Sequence, residues 1–306
     1  MDFREGFISC GMCAIRIVGV PRKVNHHPSI MSNIRILFLG DIVGEPGRKA
    51  VIRELPVIKN EHHIDFIILN GENAAGGKGI TPKIAIDLLR AGAAVITTGD
   101  HVWDQKEITE YLPTEPRVLR PLNYPPHTPG FGSVVLETAK GKIAVMQAQG
   151  RTFMQPALEN PFLIVENEAR RLHDAEGVSV IFLDFHAEAT SEKIAMGYAM
   201  DGLVSVVAGT HTHVQTADEA ILPGGTGTLT DAGMCGPAVS VLGRVVESVV
   251  WKCKTSMPTR FPIARGPVRL CGLIAEIDPT TGHCLHIERF QKIHDLAEES
   301  TAHSPE

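Results

Sequence analysis

The stretch Ile34-Arg-Ile-Leu-Phe-Leu39, followed at once by Gly40-Asp41, sets the reading of the chain. It is a short run, apolar except at Arg35, of strand rather than helix length, and apolar residues on both faces of the pleat mark a strand covered on both sides. Working outward, Ile64–Leu69 and Ala94–Thr98 read the same way, with helix-period stretches at Arg48–Asn60 and Pro82–Ala91 between the strands. This alternation predicts βαβ units and a largely parallel sheet. Pro56 predicts that the first helix is kinked or short, because proline has no N–H to offer the carbonyl four residues back. Further strands are expected at Ser133–Glu137, Ile143–Gln147, Val178–Asp184, Leu203–Ala208, Gly227–Thr230, Val268–Ile277 and His283–Arg289. The last two are joined by the hairpin-like turn Asp278-Pro-Thr-Thr-Gly282. Late antiparallel strands after early parallel ones point to two packed sheets with helices outside, not one doubly wound sheet.

Composition agrees with a globular α/β chain. Of 306 residues, 43% are hydrophobic and 21% charged, which excludes collagen, coiled coil and wholesale disorder. The formal charge of −6 provides no global field for nucleic acid, so a phosphate-seeking site needs local positive charge. Cys10, Cys13, Cys235, Cys253, Cys271 and Cys284 are scattered rather than framed as disulfides, in keeping with a reduced, cytoplasmic compartment. Cys10-Gly-Met-Cys13 has no second pair to complete a metal site. The apolar segment Phe7–Val20 is broken by Arg16 and is shorter than the roughly 20 residues of a membrane span, while Asp2 and Glu5 do not suit a signal peptide. Residues 1–30 are expected to be a disordered extension, with Met31 as a candidate true start. Residues 31–292 are expected to form a single domain and 293–306 a flexible tail. Without the extension, which has Arg4, Arg16, Arg22 and Lys23 against Asp2 and Glu5, the body carries −8.

The polar residues fall in a pattern. Gly40-Asp41, Asn70-Gly-Glu72-Asn73, Gly99-Asp100-His101, Asp184-Phe-His186 and Gly209-Thr-His211-Thr-His213 each follow an apolar strand at its C-terminal end. That edge is where open α/β sheets bind ligands, and five such segments are hard to ascribe to chance. His211 and His213, at i and i+2, would project to the same side of an extended backbone. Taken singly, Asp41 is equally a turn or capping residue, and Glu72 and Asn73 are equally loop residues. His186 could be a core histidine, with Asp184 as its hydrogen-bonding partner or as a competing ligand. Taken together, carboxylates, an amide oxygen and imidazoles suit iron, manganese or zinc, and no thiolate is offered. The glycine-rich Ala74-Ala-Gly76-Gly77-Lys78-Gly79 leads into Thr81-Pro82, a helix start, so its backbone N–H groups are candidates to hold a phosphate, with a plain turn as the alternative. It is not a Walker A loop, because Lys78 is followed by Gly79. Asp231-Ala-Gly-Met-Cys-Gly-Pro237 reads as a shaped loop walling a pocket, and Trp103 as a packing residue.

These ordered segments resemble the calcineurin-like metallophosphoesterase superfamily, and within it the YmdB-like family of bacterial phosphodiesterases. The resemblance rests on Leu39-Gly-Asp-Ile-Val-Gly-Glu-Pro-Gly-Arg48, Asn70-Gly-Glu-Asn-Ala-Ala-Gly-Gly-Lys-Gly-Ile-Thr81, Thr97-Thr-Gly-Asp-His-Val-Trp-Asp104, Asp184-Phe-His-Ala-Glu-Ala-Thr-Ser-Glu-Lys193 and Gly209-Thr-His-Thr-His-Val-Gln-Thr-Ala-Asp218. It runs from about Ile34 to about Arg289. It implies a four-layer α/β-β-α sandwich of two packed mixed sheets, in keeping with the two-sheet reading. It also implies two divalent ions, iron or manganese with zinc as a further candidate. One would be held by Asp41, Glu72, Asn73 and His213, the other by Glu72, His186, His211 and Asp100, with Glu72 bridging. His101 matches the family's proton donor. The sequence departs from the family pattern at Asp100, where Gly-Asn-His is expected; aspartate still offers an oxygen but adds negative charge beside the second ion.

The implied activity is hydrolysis of cyclic nucleotides, 2′,3′-cyclic monophosphates foremost and 3′,5′ ones next, by attack of a metal-activated water with His101 as general acid. A small-molecule phosphodiester is thus the expected partner, with RNA ends as a further candidate, no membrane partner, and a homo-oligomer implied by the resemblance. The alternatives are a phosphomonoesterase or nuclease on the same metal pair, and a metal-bound regulatory or RNA-associated module.

Overall fold

In the computed structural model, which describes residues 32–294, β1 (Ile34–Leu39) forms where the apolar stretch predicts it. Its pleat divides the side chains between two cores, Ile34, Ile36 and Phe38 facing one and Leu37 and Leu39 the other. After it come β2 (Asp41–Ile42), α1 (Gly44–Glu61), β3 (Phe66–Asn70), α2 (Pro82–Arg90) and β4 (Val95–Thr97). β1, β3 and β4 are parallel neighbours, as the alternation predicts. α2 starts where Thr81 caps it, accepting from the Ile84 N–H at 3.3 Å, with Pro82 in the first turn. The expectation of a short α1 is corrected: it runs for 18 residues through Pro56. Pro56 and Ile52 lie on the exposed side, where a carbonyl without a helical donor stays open to solvent.

The chain continues through a short α3 (Ile108–Tyr111), β5 (Ser133–Thr138), β6 (Gly141–Gln149), α4 (Pro161–Glu176), β7 (Val180–His186), α5 (Thr190–Ala199), β8 (Val206–Thr210), β9 (Ala220–Ile221) and β10 (Gly227–Leu229). β11 (Met234–Pro237), α6 (Val246–Thr255), β12 (Val268–Ile277) and β13 (Cys284–His294) follow. The expected extension over residues 1–30 lies outside the described residues, as does the tail from residue 295 onward. Ile293 and His294, assigned to the tail by sequence, instead continue β13.

Two mixed sheets result. The first has the order β2-β11-β12-β1-β3-β4 with β13 beside β12, and the second β5-β6-β7-β8-β10-β9. The hairpin β12–β13 adds antiparallel to β1 at the turn predicted, where the Gly282 N–H donates to the Asp278 carbonyl at 2.8 Å. One core lies between the first sheet and α1 and α2, one between the two sheets, and one between the second sheet and α4 and α5. This is the four-layer sandwich of the metallophosphoesterase type. No helix among the described residues is long and apolar enough to cross a membrane.

Phe38 of β1 and Phe182 of β7 meet in the central layer with ring centroids 5.0 Å apart, both fully buried. Phe182→Ala is expected to cost ~3–5 kcal/mol of stability through lost burial and the cavity left behind. Urea unfolding should show a lower midpoint at unchanged slope.

Candidate metal centre

The parallel strands of both sheets end on one edge, and there the polar segments converge. Glu72, Asp100, His186 and His211 each offer a ligand atom, all within 4.8 Å of one another. His186 Nε2 is 3.1 Å from Asp100 Oδ1 and 3.0 Å from His211 Nδ1, and it lies against the Glu72 carboxylate. The second group sits alongside: Asn73 Nδ2 is 3.0 Å from His213 Nε2, which is 3.9 Å from Asp41 Oδ1. The Asp41 Oδ2 atom accepts from the His211 N–H at 3.1 Å, tying the two groups together. Gly99 is required here, since a Cβ at that position would strike the Glu72 carboxylate and the His186 ring.

Behind the cluster, Asp184 is fully buried and is not a competing ligand. Its carboxylate accepts from Asn70 Nδ2 at 2.9 Å, Thr97 Oγ1 at 2.5 Å and Thr210 Oγ1 at 2.7 Å. Burial pushes it up to about 6 despite these donors. Because the Thr210 hydroxyl gives its proton to Asp184, its oxygen accepts from His186 Nδ1 at 2.8 Å. That fixes the tautomer and leaves the Nε2 lone pair facing the cluster.

The expectation that His211 and His213 sit on extended backbone is corrected. β8 stops at Thr210, and both histidines have positive φ, 99° and 65°. The two imidazoles therefore diverge, His211 to the first group and His213 to the second. Non-glycine residues persist in this region only where surroundings hold them. Here the brace is Asp231, which accepts from the Thr212 N–H at 3.2 Å and the Thr212 hydroxyl at 2.7 Å, and is itself paired with buried Lys193 at 2.6 Å. The segment Asp231–Pro237 is thus a brace and a strand, β11, and none of its residues lines the pocket at the cluster.

The charges are strongly coupled. Burial pushes the Glu72 carboxyl up to about 8. Burial alone would lower His186, but the Glu72 charge and the hydrogen bonds to Asp100 and Glu72 hold it well above the ordinary imidazole value. Burial opposes ionisation of Asp100 too, yet the His186 and His211 hydrogen bonds keep it well below the usual carboxylate range. The Asp41 Oδ1 atom is buried without a hydrogen-bond partner, a lone pair for which a cation is the natural occupant. The donor set and this orphaned oxygen fit divalent metal.

A model of the YmdB-like protein family matches residues 37–290. The chain belongs to the YmdB-like family. A Bacillus subtilis member named 2′,3′-cyclic-nucleotide 2′-phosphodiesterase is 46% identical over 257 residues, covering 84% of this chain and 96% of that protein. Among solved structures, a hypothetical protein from Thermus thermophilus is 38% identical with a TM-score of 0.79, covering 85% of this chain and all of its own. A phosphatase from Mycoplasma pneumoniae is 34% identical with a TM-score of 0.81, covering 87% of this chain and 95% of its own. Fold, cluster and relatives together make this YmdB-like chain a metal-dependent phosphoesterase.

His101 lies beside the cluster, with Nδ1 3.1 Å from Asp104 Oδ2 and Nε2 3.9 Å from Glu72 Oε1. Burial lowers its pKa, only partly offset by Asp100 and Asp104. A pocket of about 450 Å³ opens here, lined by Glu72, Asn73, Lys78, His101, His211 and His213 among others. Of the glycine-rich loop, Gly77 and Lys78 line it and Gly76 does not. The loop's N–H groups at Gly77 and Lys78 donate to the Asn73 and Ala75 carbonyls, so at these positions the turn consumes the donors a phosphate would need. Trp103 packs edge-to-face on Tyr124, as a packing residue should.

Sequence reasoning assigned no role to Asp104, Glu188, Lys193 or Arg244, and to Asp231 only a place in a pocket wall. The i, i+3 spacing of His101 and Asp104 was a usable signal, as was Glu188, two residues after His186 and now 3.3 Å from His211 Nε2. Lys193→Met would leave Asp231 as a buried charge without its partner and is expected to destabilise the fold by ~3–5 kcal/mol. A urea midpoint close to that of the unaltered protein would show that the pair does not brace the His211–His213 turn.

Proposed function

We propose that this chain hydrolyses cyclic nucleotides, 2′,3′-cyclic monophosphates foremost, using two divalent ions. The observation carrying the reading is the juxtaposition of two donor groups, Glu72, Asp100, His186 and His211 on one side and Asp41, Asn73 and His213 on the other, tied together by the His211 N–H donating to Asp41 Oδ2. The substrate is supported by the Bacillus subtilis relative, 46% identical and matched over 96% of its length. In this reading Asp41, Glu72, Asn73 and His213 hold one ion, and Glu72, Asp100, His186 and His211 the other. The mixture of carboxylate, amide and imidazole favours iron or manganese, with zinc also accommodated.

When bound, such an ion pair withdraws charge from the phosphate and lowers the pKa of a water. The chain's residues do the rest. Glu72, almost fully buried, would offer its carboxylate to both ions. Asp104 accepts from His101 Nδ1, which turns Nε2 toward the pocket and the departing ribose oxygen. A donor with a lowered pKa gives up its proton readily, and that oxygen leaves as a hydroxyl rather than an alkoxide. Asp100 supplies a ligand oxygen in place of the family's asparagine, with its extra charge compensated by His186 and His211.

Chelation should abolish hydrolysis of a 2′,3′-cyclic nucleotide, and manganese or iron should restore it. His101→Ala is expected to keep its metal, by elemental analysis, while kcat falls about 10²–10⁴-fold. Loss of metal from that variant would remove His101 from the role of acid. Asp41→Asn should lose metal and activity together. Asp100→Asn should retain both, with a changed preference between manganese and iron. If position 100 has no influence on the second ion, that preference will not move.

A further inference from the structure

The pocket over the cluster has two unlike sides. One consists of Glu72, Asn73 and the three histidines 101, 211 and 213; the other is built from the segment leading into and out of α6 and presents Leu242, Arg244, Val249 and Phe261. A phosphodiester group alone needs only the first side. The second is apolar apart from Arg244, with Lys78 of the glycine-rich loop also lining the pocket, and Leu242 and Phe261 remain 45% and 40% exposed. A pocket near 450 Å³ is within the range that takes a ligand of nucleotide size.

Arg244 is held in place by the backbone rather than by charge. Its Nη2 donates to the Gly77 carbonyl at 2.7 Å and its Nη1 to the Phe261 carbonyl at 3.0 Å. Gly77, at φ 91°, makes room for it: a Cβ there would strike the guanidinium carbon and both terminal nitrogens. Burial alone acts on the Arg244 pKa, lowering it, with no carboxylate opposing that shift. Two of the five N–H bonds are used, leaving donors for a ligand beside an apolar surface.

We infer that this side of the pocket is a nucleobase subsite, in which Leu242, Val249 and Phe261 cover the flat face of the base and Arg244 donates to its acceptor atoms. The inference rests on the cyclic-nucleotide reading above and adds where and by what the nucleoside part is recognised. An aromatic ring and a fixed guanidinium suit any base, since each has a π face and ring or carbonyl acceptors. Recognition by this wall therefore favours nucleoside phosphodiesters over simple ones without strong choice among bases.

The test compares, on manganese-loaded protein, a 2′,3′-cyclic nucleotide with methyl riboside 2,3-cyclic phosphate, which keeps the reacting ring and lacks the base. Phe261→Ala and Arg244→Ala should each raise KM for the nucleotide about tenfold with kcat within twofold, and leave kcat/KM for the base-free substrate within twofold. Arg244→Lys, which keeps charge but not the fork, should recover less than half of the loss. Calorimetric binding of a nucleoside 3′-monophosphate gives a readout independent of turnover, and Phe261→Ala should weaken it about tenfold. If the unaltered protein treats both substrates alike, or if the variants impair both equally, the subsite is refuted while the phosphodiesterase reading stands. If neither substrate is hydrolysed but nucleotide binding still depends on Phe261, the subsite stands and the activity reading falls.

Discussion

Negative charge taken out of water at the seam between two sheets is the constraint on which this structure turns. Asp41, Glu72 and Asp184 are all essentially inaccessible, with Asp100 close by. Bringing such charges together is costly unless every lone pair is answered. Asp184 is answered by three side-chain donors, and Asp41 in part by the His211 N–H. Glu72 is answered by histidine and, once loaded, by metal. Strands buried on both faces supply the rigid frame, and Gly99 supplies the clearance. The Lys193–Asp231 pair holds the His211–His213 turn, whose backbone would otherwise relax.

The site divides its labour by element. Strand-end residues, fixed by sheet geometry, carry the groups that meet metal. Residues one or two positions further along, His101 and Glu188, reach into the pocket with more freedom. The segment around α6 contributes one wall of the pocket, and that helix buries none of its own residues. The donor cluster thus sits on the stiff part of the molecule, and that wall on the part least committed to the core.

Legibility followed periodicity. β1 and β12 have the limits the sequence predicts, because each is an apolar run bounded by turn residues. Strands of only two residues, β2 and β9, have no period to read. α6 escaped because a helix with no buried face shows no sharp amphipathic contrast. The strand-end donors were readable as a set, since each follows an apolar run, but their local geometry was not. Extended backbone through His211 and His213 is the natural reading of i, i+2 spacing, and only the Asp231 brace, reaching Thr212 from a later segment, makes the turned alternative stable. Arg244 was out of reach for a related reason: Gly77, the residue that accommodates it, lies 167 positions away.

The antiparallel pairing of β1 with β12 carries a consequence for the timing of biosynthesis. Ile34 lies opposite Ile277 and Leu39 opposite Gly272, while Asp41 in β2 pairs with Met234 of β11. A chain emerging from the ribosome makes β1 first, then exposes its open edge until the β12 segment has been translated. The loop bearing Asp41 likewise waits for β11. The donor group containing Asp41 therefore takes its final form only once β11 has been made, late in the order of the chain.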